Sequence, residues 1–186
     1  MQINRRNFLL ELSGLVFCIL SACSQGKSRK EKRKGEPDME LRPHHILDIV
    51  SDHGQDIRYT PHAYGHSLHI VAPRLLLDPG MKIRLVVGAD AVCEGCMHLL
   101  PDGRCADVLA QLHPSPSKQA YNDVLDCRLL DLLEIEQDSV MTVRKYLQVV
   151  NAKVPGIEEI CTHPKENREE RLAGLMKGLV KLGIRG

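Results

Sequence analysis

Cys93-Glu94-Gly95-Cys96, followed after eight further residues by Cys105, is the segment of this sequence best equipped for chemistry. Two residues between thiols let both aim at one ion from a tight loop, and Gly95 permits the positive backbone angle that such a loop needs. The turn at Pro101-Asp102-Gly103 folds the third thiol back toward the first two. Three thiolates from so short a stretch suit a soft or borderline metal, either an iron–sulfur cluster or zinc. A fourth ligand has to come from elsewhere. Cys161, in Ile160-Cys161-Thr162-His163-Pro164, is the first choice, with His163 and His98 as substitutes. Cys127 reads as a small buried residue of a helix rather than a ligand.

Other readings of these thiols are weaker. Cys93, Cys96, Cys105, Cys127 and Cys161 are an odd number, which fits a disulfide framework poorly. A redox-active dithiol would need the C-x-x-C at a helix start after a central strand, a setting this stretch lacks.

The histidines are the second chemical feature. His62, His66 and His69 fall at i, i+4 and i+7, so on a helix they share a face within reach of one ion or an anionic substrate. His44 and His45 begin the preceding helix and could approach from its N-terminal end, which makes these five a candidate second site. The blander reading, and the favoured one, sets His62, His66 and His69 along the polar side of an amphipathic helix, because no carboxylate that would orient them is identifiable. His53 and His113 read as structural.

Several elements must position these groups. Pro43 to about His53 reads as a helix stopped by Gly54, and Thr60-Pro61 as the cap and first position of another, running to about Leu76. After the turn at Asp78-Pro79-Gly80, the β-branched run Lys82 to Gly88 predicts a strand that leads into the cysteines. Ser117 caps a helix from Lys118 to about Leu133, Thr142 caps another carrying Val143, Tyr146, Leu147 and Val150, and a last helix spans about Pro164 to Leu182. The expected class is α+β: one small helix-dominated domain, Pro37 to Gly186, with one or two short strands and a cysteine-rich metal loop.

The N-terminus reads differently. Residues 1–22 carry adjacent Arg5 and Arg6, an apolar run from Leu12 to Leu20, and Leu20-Ser21-Ala22-Cys23, which resembles a twin-arginine export signal ending in a lipoprotein box. In such signals the matching cysteine, Cys23, is lipidated. Asn4 and Glu11 depart from the usual pattern. Residues 23–36 form a basic tether with Lys27, Arg29, Lys30, Lys32, Arg33 and Lys34, able to hold anionic lipid beside an acyl chain. The expected location is an exported lipoprotein anchored to the membrane; the alternative is a cytoplasmic protein translated from Met39.

Composition excludes other classes. The 186-residue chain is 43% hydrophobic and 26% charged, which is globular rather than disordered. Phe8 and Phe17 both fall in the signal, so the folded part has four tyrosines as its only aromatic residues besides histidine. From Pro37 onward 17 Lys and Arg face 21 Asp and Glu, a net of −4. A nucleic-acid reader needs stacking platforms in a positive groove, so no nucleic-acid partner is expected.

Leu41-Arg42-Pro43-His44-His45-Ile46-Leu47, the approach Gly88-Ala89-Asp90-Ala91-Val92-Cys93 and the C-x-x-C-x-H-L segment resemble an uncharacterised family of small prokaryotic proteins, domain of unknown function 1284, described as predicted iron–sulfur binding. The resemblance covers nearly all of Leu41 to about Leu182. It implies Cys93, Cys96 and Cys105 as ligands, with His44 and His45 as an unexplained signature. Many members have a further cysteine shortly after the position of Cys161, where this chain has Thr162, His163 and Pro164; this puts a four-thiolate cluster in question.

The first function expected is a small metal-binding protein, with an iron–sulfur cluster before zinc, serving electron transfer or sensing with an unknown redox or protein partner. A twin-arginine route fits, because it exports proteins already folded around a cofactor. The alternative is a metal-dependent enzyme in which the histidine cluster forms an open site and the cysteines hold a separate structural zinc.

Overall fold

The computed structural model describes residues 35–160, 165 and 167–186. The export signal, Cys23, the tether up to Lys34, Cys161 and His163 lie outside the described residues.

Among the described residues five helices accompany a three-stranded sheet, so the helix-dominated α+β class holds. The strands are β1 (Met39–Leu41), β2 (Lys82–Leu85) and β3 (Val140–Thr142), each only one or two side chains deep on either face. β2 is central, parallel to β1 with Met39 opposite Ile83, and antiparallel to β3 with Ile83 opposite Met141. Of the three, β2 alone falls where the sequence predicts a strand, and it ends at Leu85, short of the expected Gly88.

The helices are α1 (Pro43–Gly54), α2 (Leu68–Leu77), α3 (Lys118–Leu133), α4 (Val143–Ala152) and α5 (Arg168–Lys181). Sequence capping fixes most starts. Ser117 Oγ accepts from the Ala120 amide, Thr142 Oγ1 from Lys145, and the Asn167 side chain from Glu169 and Glu170. α3 ends at Glu134 in the left-handed conformation, φ 55°. The core is aliphatic as composition requires, with Ile46, Ile49, Leu85, Leu129, Leu147 and Leu179 closed to solvent. Tyr146 is the one aromatic ring buried among them, and its hydroxyl donates to the Pro43 carbonyl at 3.1 Å.

α1 and α5 cross at unusually close range because glycines line the contact. A Cβ on Gly178 would fall 2.0 Å from the Val50 carbonyl oxygen, and one on Gly54 would fall 1.9 Å from the Gly174 carbonyl oxygen. Three helical glycines, individually costly to a helix, are therefore what lets the two backbones touch.

Two expectations fail here. No helix begins at Pro61: residues 57–67 are irregular and α2 starts at Leu68, so His62, His66 and His69 do not share a helical face. The cause is non-local. Gly65 turns at φ 76°, Ser67 donates its amide to the Val92 carbonyl and its hydroxyl to the Glu94 carbonyl, and Met97 donates to the Tyr64 carbonyl. These bonds to the cysteine loop replace the helical ones, and Tyr64 is 37% exposed. Cys127 is also exposed, on the outer side of α3, rather than buried.

Candidate metal centre

The cysteine loop is shaped by its own sequence and by the irregular strap of residues 57–67 that crosses it. Asp90 caps a single 3-10 turn, Ala91–Cys93, its Oδ1 accepting from the Val92 amide at 3.0 Å. Gly95 follows at φ 77°, the positive angle expected of it. It also touches the strap, since a Cβ on Gly95 would lie 2.9 Å from the Gly65 carbonyl oxygen. The chain then turns at Pro101-Asp102-Gly103, and a bridge pairs Leu99 with Cys105. The third cysteine thus returns to the first two.

The result is one cavity of about 100 Å³ that Cys93, Cys96 and Cys105 line together with His45, His66 and His98. All three cysteines are free thiols. Burial, the largest influence on Cys93, pushes its thiol up to about 11, so it holds its proton until a positive ion displaces it. Two of the imidazoles have stranded nitrogens: His98 Nε2 and His66 Nδ1 are buried with no hydrogen-bond partner among the described residues. Such orphans are rare in a finished interior. His66 stacks on His62 with ring centres 4.5 Å apart, and Tyr64 stands edge-on to His98 at 4.6 Å, forming a ring-lined rim. Burial, and next the neighbouring His62, lower the pKa of His66 and keep it neutral.

The donor set therefore suits a soft or borderline metal: three thiols, with imidazole nitrogens that lack other partners. Among the described residues no group of three His, Cys, Asp or Glu side chains is already drawn into a metal-holding arrangement.

Behind the cavity lies a buried ionic network that the sequence did not disclose. Arg42, 3% exposed, donates from Nε to Asp126 at 2.6 Å, from one terminal nitrogen to Asp123 at 2.5 Å, and from the other to the Gly88 carbonyl at 2.8 Å. Asp126 also accepts from the amide and the Nδ1 of His44, at 2.9 and 2.8 Å. Asp90 accepts the Arg42 amide and the Nδ1 of His45, both at 2.8 Å. Two carboxylates from distant segments thus serve the start of α1, whose own Arg42 side chain does not cap it.

This separates the paired histidines. His44 is 5% exposed and committed to Asp126; burial, followed by the charge of His45, lowers its pKa. Burial also opposes a proton on His45, but Asp90 outweighs it and the pKa of that ring rises. For Asp90 and Asp126 burial acts upward and is overcome, by His45 in one case and by His44 and Arg42 in the other, so both carboxyls stay below the usual range. Of the five histidines grouped as a second site, His45 and His66 face the cysteines, His62 backs His66, His44 is structural, and His69 lies in α2 away from the cavity.

A family model described as a protein of unknown function (DUF1284) matches residues 59–165, which include the strap, the cysteine loop and the Asp126 segment. No curated protein and no solved structure matches the chain.

Proposed function

We propose that this chain, which belongs to the DUF1284 family of unknown function, is a metal-binding protein whose centre is held by Cys93, Cys96 and Cys105. The observation that carries the reading is the shared cavity: three cysteines with free thiols line the same small space as His66 and His98, each of which has a ring nitrogen without a partner among the described residues. An iron–sulfur cluster serving electron transfer or sensing is the first form of this centre, and the imidazoles that line the cavity favour zinc as the second. When bound, a cluster would supply one-electron chemistry and zinc would supply folding stability or Lewis acidity. The chain's own contribution is to fix the loop through Asp90 and Gly95 and to cover it with the strap. Delivery through a twin-arginine signal and anchoring at Cys23 are part of the same proposal, since that route carries folded, loaded proteins.

The enzymatic alternative, with histidines in an open site apart from the cysteines, draws less support. His44 is occupied by Asp126, and His45 and His66 line the cysteine cavity itself.

Absorption spectroscopy with iron, sulfide and zinc analysis on the chain purified without oxygen tests the proposal. Visible bands with iron and acid-labile sulfide support the cluster, and one zinc in a colourless protein supports the second form. Cys105→Ala should lower metal content in either case, whereas Cys127→Ser, on an exposed position, should not. A chain without metal after anaerobic reconstitution overturns the proposal.

A further inference from the structure

Three thiolates leave a tetrahedral centre one donor short, and the cavity offers three imidazoles to complete it. Their settings differ. His98 and His66 have ring partners, Tyr64 and His62, and Asp107 shares the cavity with His98, but among the described residues no carboxylate is hydrogen-bonded to His66 Nδ1 or His98 Nε2. His45 has one. Its Nδ1 lies 2.8 Å from Asp90 Oδ2, and the Asp90 side chain is fully buried while the His45 side chain is 20% exposed. With Nδ1 taken by Asp90, Nε2 is the ring nitrogen left to bind an ion in the cavity that His45 lines.

From this geometry we infer that His45 Nε2 is the fourth ligand of the metal centre, with Asp90 as the carboxylate that orients it. The inference rests on the metal-binding reading above and names the donor which that reading leaves open.

The pairing of a ligating imidazole with a carboxylate on its other nitrogen is the usual support of a protein metal site. It fixes the tautomer, points the lone pair and raises ligand basicity. Here the Nδ1 proton stays between His45 and Asp90, the three thiols release theirs on coordination, and a protonated Nε2 would release its own. Asp90 also holds the cysteine loop directly: its carbonyl accepts the Cys93 amide at 2.9 Å and its Oδ1 accepts Val92 at 3.0 Å. One residue thus holds both, the imidazole through its carboxylate and the first cysteine through its carbonyl, from the segment Asp90-Ala91-Val92-Cys93. The stranded nitrogens of His66 and His98 then acquire a role as well. Each can donate to a thiolate or sulfide that exists only once the metal is bound.

His45 borders a second space, a polar cleft shared with Asp48, Asp52 and Tyr59, so the same nitrogen could instead serve that cleft. Nitrogen coordination at the metal decides the matter, read by pulsed EPR for an iron–sulfur cluster or by X-ray absorption for zinc, on the full chain. His45→Asn is the informative variant, because its side-chain amide can keep the bond to Asp90 while removing Nε2. The wild type should show a directly bound nitrogen. His45→Asn should lose it with circular dichroism unchanged, and His98→Gln should keep it. Asp90→Asn should retain the nitrogen but bind metal about 10- to 100-fold more weakly. A loaded wild type with four sulfur ligands, or a nitrogen signal surviving in His45→Asn, overturns the assignment while leaving the metal-binding reading intact. A wild type that takes up no metal overturns both.

Discussion

The Nε of Arg42 and Oδ2 of Asp126 lie 2.6 Å apart, with 4% and 0% of their side chains exposed. The two residues are 84 positions apart in the chain, so this pair ties the start of α1 to the middle of α3. Removing one partner of a buried pair strands the other in a medium that cannot solvate it. Asp126→Ala leaves Arg42 with Asp123 and the Gly88 carbonyl, and leaves His44 Nδ1 without its hydrogen-bonding carboxylate. Urea unfolding should show a loss of about 3 kcal/mol. A loss below about 1 kcal/mol would mean that water reaches the site and that the network does not hold α1 to α3.

Acid should attack the same place. The Asp126 carboxyl is depressed despite its burial, because His44 and Arg42 favour the charged form. A depressed carboxyl contributes stability that is present above its unfolded pKa, near 3.9, and is lost as pH falls through the folded value. Unfolding free energy should therefore decline below about pH 4, and Asp126→Asn should flatten that decline while lowering stability at neutral pH. Identical acid limbs in wild type and variant would remove Asp126 from the account.

The glycine contact between α1 and α5 inverts an ordinary expectation. In an exposed helix Gly→Ala gains up to about 1 kcal/mol. At Gly178 the added methyl would meet the Val50 carbonyl at 2.0 Å, where backbone has to move. Gly178→Ala should cost about 1–3 kcal/mol in the same unfolding assay, as overpacking does elsewhere. A stabilised variant would show that the two helices can separate without penalty.

Local chemistry made much of this protein legible. Ser117 and Thr142 start the helices they were expected to start, α3 ends at Leu133 as its pattern implies, and Gly95 takes the positive angle its loop needs. The failures are all long-range. The strap at 57–67 looks helical in isolation, and only its hydrogen bonds to residues 92–97 keep it irregular. β1 and β3 are three residues each, too short for alternation to register. Asp90 and Asp126 give no sign in the sequence that they serve the histidines, because pairing across 45 and 82 residues leaves no local spacing to read. The one available signal was the polar trio Arg42, His44 and His45 at the start of an apolar helix, whose buried donors need acceptors from elsewhere in the chain.

The edge of β1 offers a direct test of where the folded unit begins. Asp38 donates its amide to the Lys82 carbonyl at 2.7 Å, and its Oδ2 accepts the Lys82 amide at 2.8 Å. Met39, one residue on, is 7% exposed and opposite Ile83. A protein translated from Met39 would lose both bonds and would place a chain terminus at the first buried position of the strand. Two hydrogen bonds at a partly solvated edge contribute about 1–2 kcal/mol together. Thermal unfolding of residues 39–186 should therefore fall roughly 2–8 °C below that of residues 37–186, since each kcal/mol shifts the midpoint by about 2–4 °C at this size. Equal midpoints would make a start at Met39 costless to the fold. N-terminal analysis of the native protein gives the complementary readout, with a lipid-modified Cys23 expected and an unmodified Met39 counting against export.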